Sequence, residues 1–139
     1  MKVKDIMHKG AIWLESSTPV AKIAKKMRSA DIGAIPIGQN DRIVGMVTDR
    51  DICCKALGNR HDPKALVARD VMTRPIVYCK ADDEIGTALA KMKKARIRRL
   101  PVIDAKKRLV GMLSLGDISA KTSKQMAGDA LKALAAHHA

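Results

Sequence analysis

The sequence predicts an α+β chain built from two β-α-β-β-α repeats related by a pseudo-twofold, and three observations carry that expectation. The first is self-similarity. At an offset of 65, KDIM (4–7) falls on RDVM (69–72), Lys26-Met27 on Lys91-Met92, Ala30 on Ala95, Ile32 on Ile97 and Pro36 on Pro101. One extra residue near 104–107 raises the offset to 66. Residues 42–52 then lie on 108–118, with Arg42, Val44, Gly45, Met46, Asp51 and Ile52 each meeting an identical twin. The second observation is a helical stripe in each copy, Val20, Ile23, Ala24 and Met27 in one and Ile85, Ala88, Leu89 and Met92 in the other, both spaced i, i+3, i+4, i+7. The third is a pair of apolar strand runs after each stripe, 32–37 with 42–47 and 97–103 with 108–113.

The elements follow in order. A short strand (Ile12–Leu14; Ile76–Cys79) opens each repeat. Thr18-Pro19 predicts a cap followed by proline at the first helical position. The two strand runs form a hairpin, and a second helix opens at Thr48 or Ser114. This gives repeats at 2–57 and 69–120, a linker at 58–68 rich in turn formers, and a tail at 121–139. The tail is expected to be helical over Met126–Ala139, with an apolar face of Ala127, Ala130, Leu131 and Leu134 that can pack on this module or on a second subunit. Neither half alone buries a substantial core, so the two are expected to pack together.

Composition narrows the class. The chain has 139 residues with 27 Lys plus Arg against 14 Asp plus Glu, a formal charge of +13 that concentrates polyanions near its surface. Apolar residues at 47% support a packed core rather than disorder. Trp13 and Tyr78 are the only aromatics, too few for a base-stacking platform, so the core is aliphatic and methionine-rich. Cys53, Cys54 and Cys79 are odd in number and two are adjacent, which suits no disulfide framework and points to a reducing compartment. The start lacks an apolar signal core and no stretch is long enough to span a bilayer. A cytoplasmic protein with no membrane contact is the expectation.

The paired GMVTDRDI (45–52) and GMLSLGDI (111–118), each preceded by a strand centred on Pro36 or Pro101 and an opening KDIM or RDVM, resemble a tandem pair of cystathionine-β-synthase (CBS) domains. The resemblance covers residues 2 to about 120. It implies a disc-like Bateman module with two related clefts between the repeats, a homodimer, and binding of adenine nucleotides (AMP, ADP, ATP) or a related adenosyl ligand, as in stand-alone members of the family. It further implies that Asp51 and Asp117 take the ribose and that Thr48 and Ser114 take the ribose or phosphate end. Arg98 and Arg99 would contact phosphates, and the adenine would sit near Ile35-Pro36 or Leu100-Pro101.

The residues themselves support an anion site. Thr48 and Ser114 stand where a strand gives way to a helix, with free N–H groups and the positive end of the helix dipole. Asp51 and Asp117 follow one turn on. The same [ST]-x-x-D pattern is a capping box that needs no ligand, and the two roles are compatible. In a strand Arg98 and Arg99 point to opposite faces, so only one enters a given cleft. The first repeat has Gly33 and Ala34 in their place, while Arg50 is its own candidate anion contact, replaced by Gly116 in the second copy. The two sites are therefore expected to be unequal.

Elsewhere, His8, His61, His137 and His138 show no metal-ligand spacing except the adjacent tail pair His137-His138, which reads as solvated, and Cys53 and Cys54 read as packed thiols. Lys22, Lys25, Lys26, Lys91 and Lys94 read as solvent-facing. No P-loop, nucleophile elbow or paired catalytic carboxylate is present, so no catalytic residue, metal or required cofactor is assigned. The expectation is a non-enzymatic adenine-nucleotide sensor read by an unknown protein effector. The alternative is a basic interaction module that binds nucleic acid or an acidic protein, with vestigial nucleotide sites.

Overall fold

The computed structural model describes residues 1–58 and 62–136. His61, His137 and His138 lie outside them. In chain order the elements are α1 (Val3–Ile6), β1 (His8–Lys9), β2 (Leu14–Glu15), α2 (Val20–Ala30), β3 (Ala34–Gln39), β4 (Arg42–Thr48), α3 (Asp49–Asp51) running into a π-helical turn (Ile52–Leu57), a 3-10 turn (Pro63–Ala65), α4 (Ala68–Val71), β5 (Cys79–Lys80), α5 (Ile85–Ala95), β6 (Arg99–Ile103), β7 (Leu109–Ser114), α6 (Leu115–Lys121) and α7 (Lys124–Ala136). The chain is a mixed α and β fold in two compact units. Ile12–Ile76 makes one; Met1–Ala11 together with Val77–Ala139 makes the other. They are called here the Asp51 unit and the Asp117 unit.

In the Asp51 unit three strands run in the order β2-β3-β4, β2 parallel to β3 and β3 antiparallel to β4. Helix α2 covers them with Val20, Ile23 and Met27, while Ala24 of the expected stripe faces outward. Ile23, Ile35, Ile37 and Val47 are fully buried, and each such side chain contributes about 1.5–3 kcal/mol of transfer free energy. The helix begins one residue later than expected. Pro19 is its N-cap, and Thr18 makes no capping bond through its side chain. The reason is tertiary: the N–H of Val20 is taken by the Leu66 carbonyl at 3.0 Å, so one orphan donor of the first turn is satisfied from the connecting segment. Asp31 ends α2 in the left-handed region (φ 53°, ψ 50°). The β3–β4 turn is likewise tight, with Asn40 and Asp41 both at positive φ.

The Asp117 unit repeats the plan with an added strand, in the order β1-β7-β6-β5. Ile85, Ala88, Leu89 and Met92, the whole expected stripe of α5, are buried on it. Arg96 ends that helix in the same left-handed conformation as Asp31 (φ 55°, ψ 44°). The tail helix α7 packs on α5 and α6 and gives Ala130 and Ala133 to the core. Leu131, expected on the buried face, is instead 63% exposed. Helix α6 stops at Lys121 and α7 begins at Lys124.

The compact units are cut differently from the sequence repeats. KDIM (4–7) packs into the Asp117 unit, where Val3 and Ile6 are buried beside the side chains of α5 and α6. RDVM (69–72) packs into the Asp51 unit through Val71 and Met72. Each strap then runs antiparallel along the middle of a hairpin strand: His8 opposite Met112 and Lys9 opposite Gly111, and Thr73 opposite Met46. The crossing is close enough to demand glycine. A β-carbon on Gly111 would stand 2.5 Å from the His8 carbonyl oxygen, and one on Gly45 would stand 2.6 Å from the Met72 sulfur.

Candidate functional site

Each unit has one strand-to-helix junction, and the two are assembled alike. β4 ends at Thr48 and β7 at Ser114. The next N–H is caught by a carbonyl of the partner strand's approach: Asp49 N–H donates to Gly33 and Leu115 N–H to Arg98, both at 2.9 Å. The hydroxyl of Thr48 accepts from the Asp51 N–H at 3.1 Å, and that of Ser114 accepts from the Asp117 N–H at 3.0 Å. In return the carboxylate Oδ2 accepts from the backbone N–H of Thr48 or Ser114, at 2.9 Å in both cases, and from its hydroxyl at 3.1 or 2.8 Å. These are closed capping boxes. Of the amides that the sequence left free for an anion, those of Asp49, Asp51, Leu115 and Asp117 are therefore already engaged.

The second carboxylate oxygen is where the units part. Asp51 Oδ1 faces Lys55 Nζ at 3.0 Å and accepts from the Thr73 hydroxyl at 3.5 Å. Asp117 Oδ1 faces His8 Nε2 at 2.8 Å and Lys121 Nζ at 3.6 Å. Both lysines lie one turn beyond the aspartate and also donate to a strap carbonyl, Lys55 to Val71 and Lys121 to Ile6. Asp51 and Asp117 are buried, at 9% and 5% exposure. A buried carboxylate is tolerated because both oxygens are satisfied.

The other candidate residues sit around these junctions. Arg99 is the register partner of Ser114, and Ala34 is that of Thr48, so the Arg99 side chain shares a sheet face with Ser114. Arg98 and Arg99 are exposed, as is Arg50. Ile35, Pro36, Leu100 and Pro101 are all buried. Pro36 pairs with Met46 and Pro101 with Met112 in the hairpins. Ile35 belongs to the core of the Asp51 unit and Leu100 to that of the Asp117 unit.

Four functional neighbours were missed in the sequence: Lys55, Thr73, Lys121 and His8. The lysines were findable, since Asp51/Lys55 and Asp117/Lys121 are i, i+4 pairs on one helical face. His8 and Thr73 stand at the same place in the two repeats, directly after the KDIM and RDVM motifs, but nothing local ties them to an aspartate 109 or 22 residues away. Cys53 and Cys54, expected to be packed, are exposed on the π-helical turn, whereas Cys79 is buried. Burial, helped by the nearby Asp83 charge, pushes the Cys79 thiol up to about 12. Lys91, expected to face solvent, donates to the Tyr78 carbonyl at 3.0 Å and stands 3.8 Å from Asp83. No group of three or more His, Cys, Asp or Glu is gathered among the described residues, and no helix there is long and apolar enough to cross a membrane.

Comparison with known proteins bears on both junctions at once. The CBS domain family model matches residues 3–57 and 68–123. This chain belongs to the CBS domain family. Its relatives include Hypoxic response protein 1 of Mycobacterium tuberculosis, 38% identical over 117 residues that make up 84% of this chain and 81% of that one. An uncharacterized protein of Methanopyrus kandleri is 30% identical over 85% of this chain, which spans only 61% of its length. Among solved structures, that of Hypoxic Response Protein I with two coordinated zinc ions matches at a TM-score of 0.80 and 36% identity, covering 88% of this chain and all of that one. The CBS domain pair of protein MJ0100, solved with 5′-methylthioadenosine and S-adenosyl-L-methionine, matches at a TM-score of 0.76 and 32% identity, covering 86% and 93%.

Proposed function

We propose that this CBS pair is a regulatory module that binds an adenine nucleotide or related adenosyl ligand at the junctions carrying Thr48/Asp51 and Ser114/Asp117. The observation that carries the proposal is the twice-built junction, a buried carboxylate locked on one oxygen by backbone and hydroxyl donors and held on the other only by side chains. Side-chain partners are replaceable, so the vicinal hydroxyls of a ribose can compete for Oδ1 while Oδ2 keeps the helix start intact. The MJ0100 pair, with its two adenosyl compounds, supports the ligand class. Arg99, facing the same side as Ser114, gives the Asp117 site a phosphate partner that Ala34 denies the Asp51 site, while exposed Arg50 serves the latter. Occupancy shifts a partner-binding surface only in so far as the ligand favours one of two conformations. A cytoplasmic homodimer signalling to a protein effector is the setting we infer.

A thermal-shift panel with adenosine, 5′-methylthioadenosine, AMP, ADP, ATP, S-adenosylmethionine and GTP, at two salt concentrations, tests this. A native-state ligand raises the midpoint by linkage. A shift selective for adenine compounds that survives high salt is expected. An equal response to every polyphosphate, lost steeply with salt, would assign the chain to polyanion binding through its basic surface.

A further inference from the structure

The two units hold the same carboxylate oxygen with a lysine and a second side chain, a hydroxyl in one and an imidazole in the other. Thr73 is a neutral hydroxyl at any ordinary pH. His8 is an imidazole, the side chain whose charge changes between about pH 5 and 8. His8 Nε2 stands 2.8 Å from Asp117 Oδ1, and its side chain is 72% exposed while that of Asp117 is 6% exposed. Protons from solvent thus reach the imidazole freely, and the imidazole covers the buried oxygen. In the Asp51 unit the order of partners is reversed, with the amine at 3.0 Å and the hydroxyl at 3.5 Å.

We propose that His8 is a proton-operated latch on Asp117, so that the adenosyl site of the Asp117 unit weakens in acid while the site on Asp51 does not. This rests on the adenosyl-ligand reading above and adds to it the regulation of one of its two sites. In acid the imidazolium holds Oδ1 by a charge-assisted hydrogen bond; in mild base the neutral ring holds it by an ordinary one. A ribose hydroxyl competing for that oxygen displaces the second far more cheaply.

The charged surroundings are simple. Helix α6 brings Lys121, whose amine stands 3.6 Å from the same oxygen and donates to the Ile6 carbonyl. Strand β7, on which β1 lies, carries no titratable side chain. From α1, Asp5 accepts from the Lys2 N–H and Lys4 pairs with Asp82 at 2.8 Å. Facing Asp117 Oδ1, the described residues thus place one imidazole, His8, and one amine, Lys121.

The test uses the full chain and 5′-methylthioadenosine, which has no phosphate to titrate. In an Asp51→Asn background, calorimetric affinity should fall about tenfold between pH 7.5 and 5.5, the difference between a neutral and a charge-assisted bond. His8→Thr should flatten that profile, and Thr73→His in an Asp117→Asn background should create it. An unchanged pH profile in His8→Thr overturns the latch. If the wild type binds no adenosyl compound at any pH, the adenosyl reading fails, and the latch is judged by a double-mutant cycle on stability. The coupling between His8→Thr and Asp117→Asn should be larger at pH 5.5 than at pH 7.5. Equal coupling at the two pH values overturns it regardless of ligand.

Discussion

In the Asp51 unit the exposed thiols, the compact three-stranded sheet and a lysine-held carboxylate go together. In the Asp117 unit the thiol is buried, the sheet gains a strand from the N-terminal strap, and an imidazole holds the carboxylate. What is constant between them is backbone accounting: the closed capping box, the carbonyl of Gly33 or Arg98 that catches the first helical N–H, and the strap carbonyl that catches the lysine. What differs is the strap side chain that faces Oδ1, Thr73 or His8, and the residue opposite Thr48 or Ser114. Duplication has kept the parts whose loss would orphan a buried polar group and varied the parts that a ligand or solvent can replace.

Thiol chemistry separates the units most sharply. Cys53 and Cys54 should react with a thiol reagent in the native protein at pH 7.5. Cys79, buried and with its thiol pushed up to about 12, should react at least about a thousandfold more slowly until the chain unfolds. Mass spectrometry after brief iodoacetamide treatment reads this; equal labelling of all three would mean the Asp117 unit opens readily.

Removing a junction carboxylate comes next. Asp117→Ala strips the capping box and leaves Lys121 and His8 without their partner, so about 2–3 kcal/mol of stability should be lost in urea unfolding. Asp51→Ala should cost slightly less, since that side chain is 12% exposed against 6%. Ligand tests therefore belong to the asparagine variants, which keep the shape.

The strap crossings sharpen the comparison further. Gly111→Ala drives a β-carbon into a backbone oxygen and should cost about 2 kcal/mol, in the range of overpacked cores. Gly45→Ala meets Met72 Sδ at 2.6 Å and Cγ at 2.9 Å, side-chain atoms that can yield more readily than backbone, with the Thr73 carbonyl oxygen next at 3.1 Å, and should cost less, about 1 kcal/mol. A reversed order would show that the strap of the Asp117 unit is the looser one.

Smaller effects lie at the left-handed helix ends. Arg96→Gly should stabilise by about 0.5–1 kcal/mol, because arginine has no local hydrogen bond to offset positive φ. Asp31→Gly should gain less, since aspartate tolerates that region. The smallest effect concerns the β6–β7 turn. The backbone N–H of Arg108, with that of Lys106 and the Arg108 side chain, holds the Asp104 carboxyl below its usual range. Its contribution is then present above about pH 4 and lost as pH falls through the lower folded value. The midpoint difference between wild type and Asp104→Asn should vanish in strong acid; a constant difference would rule the ionised form out as its cause.

Much of this was legible in the chain. The offset of 65 to 66 marked the hairpins and both junctions, because β3 and β6, buried on both faces, both read as continuous apolar runs. The stripe of α5 was right in full, and the [ST]-x-x-D pattern announced the capping boxes. Thr18 misled because a cap signal is local, whereas the first N–H of α2 is satisfied by Leu66, 46 residues further on. The two exposed cysteines misled because the chain after Asp51 widens into a π-helical turn, which rotates every later side chain away from the α-helical count.

By itself, then, the sequence determined the elements, their duplication and the carboxylate at each helix start, since periodicity, capping and turn chemistry act over a few residues. Only the tertiary structure decided which strap serves which unit, and with it that His8 faces Asp117 while Thr73 faces Asp51. The physical reason is distance along the chain. Both hairpins offer a glycine and an edge to a strap, so the choice between them depends on the shape of a surface which no short window of sequence contains.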